Sequence, residues 1–166
     1  MVQKRGAKEK GKNGWIITLQ APSYVPFMKY CENRELRRKL YMAYNTQCIH
    51  DNEQNNEDVV KQLVNLRMQL AQLLGFKNYA DYALRKRMAE NSERVYQLLD
   101  QLLEAYTPTA REEVKEIEAL AQRTEGKDFQ LMPWDFSYYA EKLKNEKFNL
   151  DEEALRPYFE LSRVKE

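Results

Sequence analysis

One histidine, two cysteines and five glycines are all that 166 residues hold of the types that most often build a chemical centre. Each scarcity removes a class of function. Cys31 and Cys48 are too few for a disulfide scaffold, and reduced thiols suit a cytoplasmic chain. With five glycines no loop can cradle a phosphate, and neither GxxxxGKS/T nor GxGxxG occurs. Long apolar runs are missing too: "WIITL" at 15–19 is too short to span a bilayer, and the run at 59–74 is interrupted by polar residues. The charged start "MVQKRGAKEKGKNG" leads into no apolar core of a leader, so no secretory signal, no membrane partner and a cytoplasmic location are expected. Net charge is small as well. Against 26 acidic side chains stand 27 basic ones, which leaves +1 and no general pull on nucleic acid. A local exception is the arm at 1–14, read as flexible, whose Lys4, Arg5, Lys8, Lys10 and Lys12 face Glu9 alone; without an interleaved aromatic it offers bases nothing to stack on.

The single histidine lies in "QCIHDNE" at 47–53, with Cys48 two positions before it and Asp51 and Glu53 after it. Zinc takes three or four protein ligands, and the Cys48–His50 pair would have to recruit Asp51, Glu53 or a distant Cys31. Nor does the spacing make a nucleophilic pair, because it supplies no orienting third group and nothing to lower the thiol pKa. The stretch reads as a solvated connection, and no catalytic, cofactor-binding or metal-binding residue is assigned anywhere in the chain. Acidic pairs, Glu112 with Glu113 and Glu152 with Glu153, are read as helix starts, where carboxylates complement the helix dipole. The cluster Trp134, Phe136, Tyr138 and Tyr139 is read as core.

What the sequence has in quantity is helical period. Asn33 can cap a helix to Tyr44 with Leu36, Leu40, Ala43 and Tyr44 on one face. Asn55 or Asn56 can cap the next, whose broad apolar face runs from Val59 to Leu74 and ends at Gly75 in the left-handed region. Asn78 can cap a short helix to about Arg87. From Asn91 or Ser92 the phase of Val95, Leu98, Leu102 and Tyr106 continues through Val114, Ile117 and Ala121 across Pro108, which predicts one long helix to about 122, bent near 104–108. This helix is expected to pack on the 57–74 helix through Val95, Leu98, Leu102 and Leu103. A linker from Gly126 precedes an aromatic-rich helix at 134–147, and Asp151 and Pro157 mark a last element. "WIITLQ" at 15–20 is the one candidate strand, ended by Pro22 and Pro26. The expected fold is all-α, with at most that one short N-terminal strand, in a single helical body over 15–166. No period repeats, which excludes a solenoid. "RPYFELSRVKE" opens an amphipathic pattern that reaches no stop residue, and apolar faces without partners predict self-association in a dimer or by domain swapping.

Three stretches carry a resemblance over about 15–166. "TLQAPSYVPFMKYCENRELRRKLYMAYNT", "NLRMQLAQLLGFKNYADYALRKRMAEN" and "PWDFSYYAEKLKNEKFNLDEEALRPYFELSRV" resemble, in order, the segment before the catalytic region of the thimet oligopeptidase family of zinc metallopeptidases, with most similarity to its bacterial peptidyl-dipeptidase (dipeptidyl carboxypeptidase) branch. The resemblance implies an internal piece of a neurolysin-like, mostly helical peptidase whose deep channel admits short peptides, and which removes C-terminal dipeptides. It implies zinc held by HExxH in the parent protein; with one histidine, no zinc ligand carries over to this chain, and the piece is expected to be inert. Its expected partner is the catalytic remainder of the polypeptide. The alternative is an independent helical interaction module that binds a partner helix.

Overall fold

A computed structural model describes residues 14–149 together with Gly11 and Tyr158. The arm expected at 1–14 therefore lies almost wholly outside the described residues, as do Asp151, the pair Glu152 and Glu153, and Pro157. Six helices occur among the described residues: α1 (Ala21–Tyr30), α2 (Arg34–Asn45), α3 (Glu57–Leu73), α4 (Tyr79–Leu84), α5 (Ser92–Glu125) and α6 (Pro133–Phe148). No strand accompanies them, so the fold is all-α. The strand expected at 15–20 does not form, because a strand needs a second one to ladder with. Instead the Thr18 amide donates to Ser23 Oγ at 3.0 Å.

The prolines expected to stop structure after residue 20 lie inside α1. Pro22 occupies the first turn, where an amide has no helical partner to lose, and the free Ser23 and Tyr24 amides donate to Gln20 O at 2.9 Å. Pro26 forfeits one further helical bond, and the helix runs on to Tyr30. Elsewhere the caps agree with the sequence. Asn33 Oδ1 accepts from the Leu36 amide, Asn78 Oδ1 from Asp81, and Asn91 Oδ1 from Arg94. At α3 the residue at the cap position is Asn56, yet it is Asn55 whose side chain accepts from the Glu57 amide, at 2.8 Å. Helix α3 ends as Gly75 predicts: with φ of +78° it turns its amide to Gln72 O, and Phe76 bonds back to Ala71 O. Helix α5 continues through Pro108 without interruption, in keeping with the preserved phase. Glu112 and Glu113 accordingly lie in its interior and not at a helix start.

Two compact units share the chain, one of 1–45 with 115–166, the other of 46–114. In the first, α1 and α2 both pack on α6 and touch each other. Its core joins Ile117 and Ala121 of α5 to Tyr138 and Tyr139 of α6, with Phe129, Leu131, Ala140 and Leu143 against them. Leu36, Ala43 and Tyr44, expected on the inner face of α2, are exposed; Arg37 is the buried residue of that helix.

In the second unit α3 packs against α4, and Ala71 is its buried residue. The expected burial of the 92–122 helix against the 57–74 helix is not found: Leu98 is exposed, and Leu102 and Leu103 are 41% and 67% exposed. That expectation supposed that every apolar face finds its cover within this chain. The faces of α3 (Val59, Leu63, Leu66, Leu70) and α5 (Leu98, Leu99, Leu102) stand in water instead. No helix of the described residues is long and apolar enough to cross a membrane.

Truncations should sort by these burials. Ile117→Ala removes a buried branched side chain and is expected to cost about 2–4 kcal/mol, while Leu102→Ala should stay below about 1 kcal/mol. Urea unfolding midpoints of the two variants check this; equal losses would place Leu102 in a core.

Candidate functional site

Among the described residues, those with ligand chemistry do not assemble. Around His50 the chain from 46 to 56 bonds to itself: Thr46 Oγ1 and His50 Nε2 are 3.1 Å apart, the Asn52 amide donates to His50 O at 2.8 Å, and the Asn56 amide closes the loop on Cys48 O at 2.8 Å. Cys48 sits at φ +61°, and Cys48, His50, Asp51 and Glu53 are all exposed. Cys31 ends α1, half-buried, with its thiol toward Asn33 O at 3.8 Å. No group of three or more His, Cys, Asp or Glu side chains among the described residues could hold a metal ion.

The strongest polar construction lies elsewhere and was not foreseen. "PWD" opens α6 with proline in the first turn and Asp135 at the third helical position, where a carboxylate meets the positive helix end. Its Oδ2 accepts from the Met132 amide at 3.1 Å, and its own amide donates to Met132 O at 2.8 Å. Asp135 is 0% exposed, which makes an unpaired charge there untenable. Two arginines one turn apart on α2 answer it. Arg37, 1% exposed, donates from Nη2 to Oδ1 at 2.8 Å, from Nη1 to Cys31 O and Glu32 O, and from Nε to Trp134 O. Arg34 forks onto the other side, with Nη2 to Oδ2 at 2.7 Å and Nε to both oxygens. Both guanidiniums lie on ring faces, Arg37 on Tyr138 at 4.2 Å and Arg34 on Phe129 at 4.4 Å. The Asp135 hydrogen bond holds the Arg34 pKa above its ordinary value.

Two further buried groups flank this node. Tyr139, in the core, donates to Glu125 Oε1 at 2.8 Å; burial, and then that hydrogen bond, push its phenol far above the ordinary value of 10. Glu141 is nearly buried and pairs with Lys29 at 3.0 Å, with the Tyr30 hydroxyl at 3.5 Å. Of the aromatic cluster read as core, Tyr138 and Tyr139 are buried, Trp134 is half-buried against Tyr41, and Phe136 is exposed. The sequence shows arginines at 34 and 37, just inside a capped helix, and an aspartate three residues into another, but no local signal that they meet across 98 positions. Each of these contacts orients a helix.

The residues of this node fall in the stretches that carried the family resemblance, and residues 27–166 match the model of Peptidase family M3. The chain belongs to that family. It is 38% identical over 96% of its length to oligopeptidase A of Haemophilus influenzae, and 39% identical over 94% to oligopeptidase A of Escherichia coli. Dipeptidyl carboxypeptidase of Escherichia coli is 35% identical over 95% of the chain. The match covers 24%, 23% and 23% of these relatives, so the M3 chain spans about a quarter of their length.

Removing the anion should cost more than removing the outer cation. Asp135→Asn leaves Arg37 buried without a counter-charge and is expected to lose about 3–5 kcal/mol. Arg34→Gln, at a side chain 41% exposed, should lose about 1 kcal/mol. Chemical unfolding of the two variants tests the order, and a smaller loss for Asp135→Asn would refute it. The raised phenol gives a second expectation. Below pH 10 Tyr139 is protonated folded and unfolded alike; above it the unfolded chain releases a proton that the folded chain keeps, so stability falls as pH rises. Tyr139→Phe should lack this component, read as the difference between the two proteins' unfolding midpoints at about pH 9 and about pH 11.

Proposed function

We propose that this chain is a helical scaffold segment of a zinc metallopeptidase that acts on short peptides, and that the segment alone is catalytically inert. Its membership of family M3 over residues 27–166 carries the reading. Its donor set does not fit zinc: the one histidine of the sequence is bonded to Thr46 in a self-contained loop, and a second, one helical turn away, does not exist. Zinc and the general base then belong to the remainder of a longer polypeptide, which is also the partner for the open faces of α3 and α5. Cytoplasmic residence is part of the proposal and is supported by two free thiols.

For the parent's reaction, the relative named dipeptidyl carboxypeptidase supports removal of dipeptides from free C-termini. The relatives named oligopeptidase A, at somewhat higher identity, favour a second reading, cleavage of oligopeptides. An independent interaction module is the reading from a different class, motivated by the exposed faces. A reading frame that continues past Glu166 into HExxH supports the scaffold; a stop codon there supports the module.

The 166-residue chain and a polypeptide extended through HExxH should be assayed together on a tetrapeptide with a free or an amidated C-terminus. The short chain is expected to show no turnover and no stoichiometric zinc, and His50→Ala should change nothing; the extended one should be active and chelator-sensitive. Turnover lost on amidation supports dipeptide removal from a free C-terminus, and turnover that survives it supports the second reading. Turnover by the short chain that His50→Ala abolishes would overturn the proposal. Light scattering at about millimolar protein should exceed the monomer mass, since apolar strips in water favour self-association; a monomer would sink that expectation.

A further inference from the structure

The turn that follows α4 gathers three consecutive cations. Arg85, Lys86 and Arg87 are consecutive, exposed, and without an ion pair among the described residues. The nearest acids in the sequence are engaged elsewhere. Asp81 accepts from Asn78 Nδ2 at 2.8 Å and from Ser92 Oγ at 2.7 Å, and Glu90 pairs with Arg94 at 2.7 Å. The three cations line one concavity of about 520 Å³ with Phe76, Tyr79 and Tyr82. Its aromatic wall is tied together: Tyr82 meets Phe76 edge-on at 5.5 Å and tilts against Tyr79 at 5.8 Å. Arg85 rests on the Phe76 ring at 5.6 Å, a placement that orients a guanidinium and leaves its N–H edge free for a planar anion.

Some of this charge has a structural role, since cations at a helix C-terminus complement its dipole. That role accounts for one or two of the three, and leaves unexplained why they share a hollow with three rings. We propose that this concavity binds acidic peptide segments, its cations taking side-chain carboxylates and its aromatic wall an adjacent apolar side chain. Peptide is favoured over single-stranded nucleic acid because base stacking needs open ring faces, and two are covered, Phe76 by Arg85 and Tyr79 by Arg67 at 5.1 Å. Binding here calls for no hydrolysis and no zinc, so it stands or falls independently of the peptidase reading.

The probe is a blocked hexapeptide with three glutamates and one leucine, titrated into the 166-residue chain and followed by backbone amide shifts. Shifts should concentrate at 74–87 and weaken as salt is raised from about 50 to about 300 mM. The triple variant R85Q/K86Q/R87Q should weaken binding about tenfold, and Lys86→Gln alone about two- to threefold, at exposed positions where the amide spectrum reports retained folding. The same peptide with glutamines should not bind. Absence of shifts, shifts untouched by both variants, or tighter binding of inorganic phosphate or a six-nucleotide single strand would overturn the proposal.

Discussion

Asp135 has no access to water, so its charge must be met by the chain, and the groups that meet it come from the other end of the first unit's sequence. Arg37 joins Asp135 across 98 positions, and the same guanidinium bonds the carbonyls of Cys31 and Glu32, where α1 gives way to α2. One buried cation thus fixes the α1–α2 corner, the start of α6 and the ring of Tyr138 at once. A buried ion pair adds little net stability against an apolar pair of equal volume, because desolvation offsets the attraction. What it adds is direction. Leucines on α2 would let the helix rotate or slide on α6, whereas a guanidinium with hydrogen bonds at fixed angles allows one register. This explains why α2 is buried through an arginine while its apolar face remains outside.

The second unit lacks such a node. Asp81 with Asn78 and Ser92 ties the start of α4 to the start of α5, and Phe76, Tyr79 and Tyr82 make a small aromatic knot, but α3 buries little of its length. Its residues Val59, Leu63, Leu66 and Leu70 recur at the alternating four and three of a helix-pairing seam. Each is about half exposed and would gain on the order of 1 kcal/mol on full burial. Such a stripe is what the proposed scaffold, in a chain a quarter as long as its relatives, would leave for other chain to cover.

Much of the fold was legible because helices announce themselves locally. Caps at Asn33, Asn78 and Asn91, the left-handed Gly75, and the phase carried across Pro108 each depend on a few neighbouring residues, and each is found. The failures share a different cause. A strand at 15–20 depends on a partner that the sequence window cannot display; Pro22 falls in the first turn, where no helical bond is interrupted, and Pro26 costs the helix one bond without ending it. The pairing of α3 with α5 and the inner face of α2 were inferred from apolarity alone, and apolarity names a face that seeks cover without naming the cover. For the candidate site the limit was sharper. Asp135 and Arg37 look like surface charges until the fold brings them together across 98 positions, and no periodicity marks a charge as buried.

Beside an ordinary apolar core, a charged pair is buried and apolar helix faces are exposed, and this bears on the proposed scaffold role. Where an isolated globular domain hides its leucines and displays its arginines, the first unit hides Arg37 and Asp135, and the second displays the leucines of α3 and α5. Directional bonds inside make a frame with one geometry, and undirected apolar faces outside make surfaces that accept a complementary shape. A frame of that kind is suited to position other structure. Each ionised group taken out of water among the described residues is committed to a partner that holds a helix in place, Arg37 and Asp135 to each other and Glu141 to Lys29.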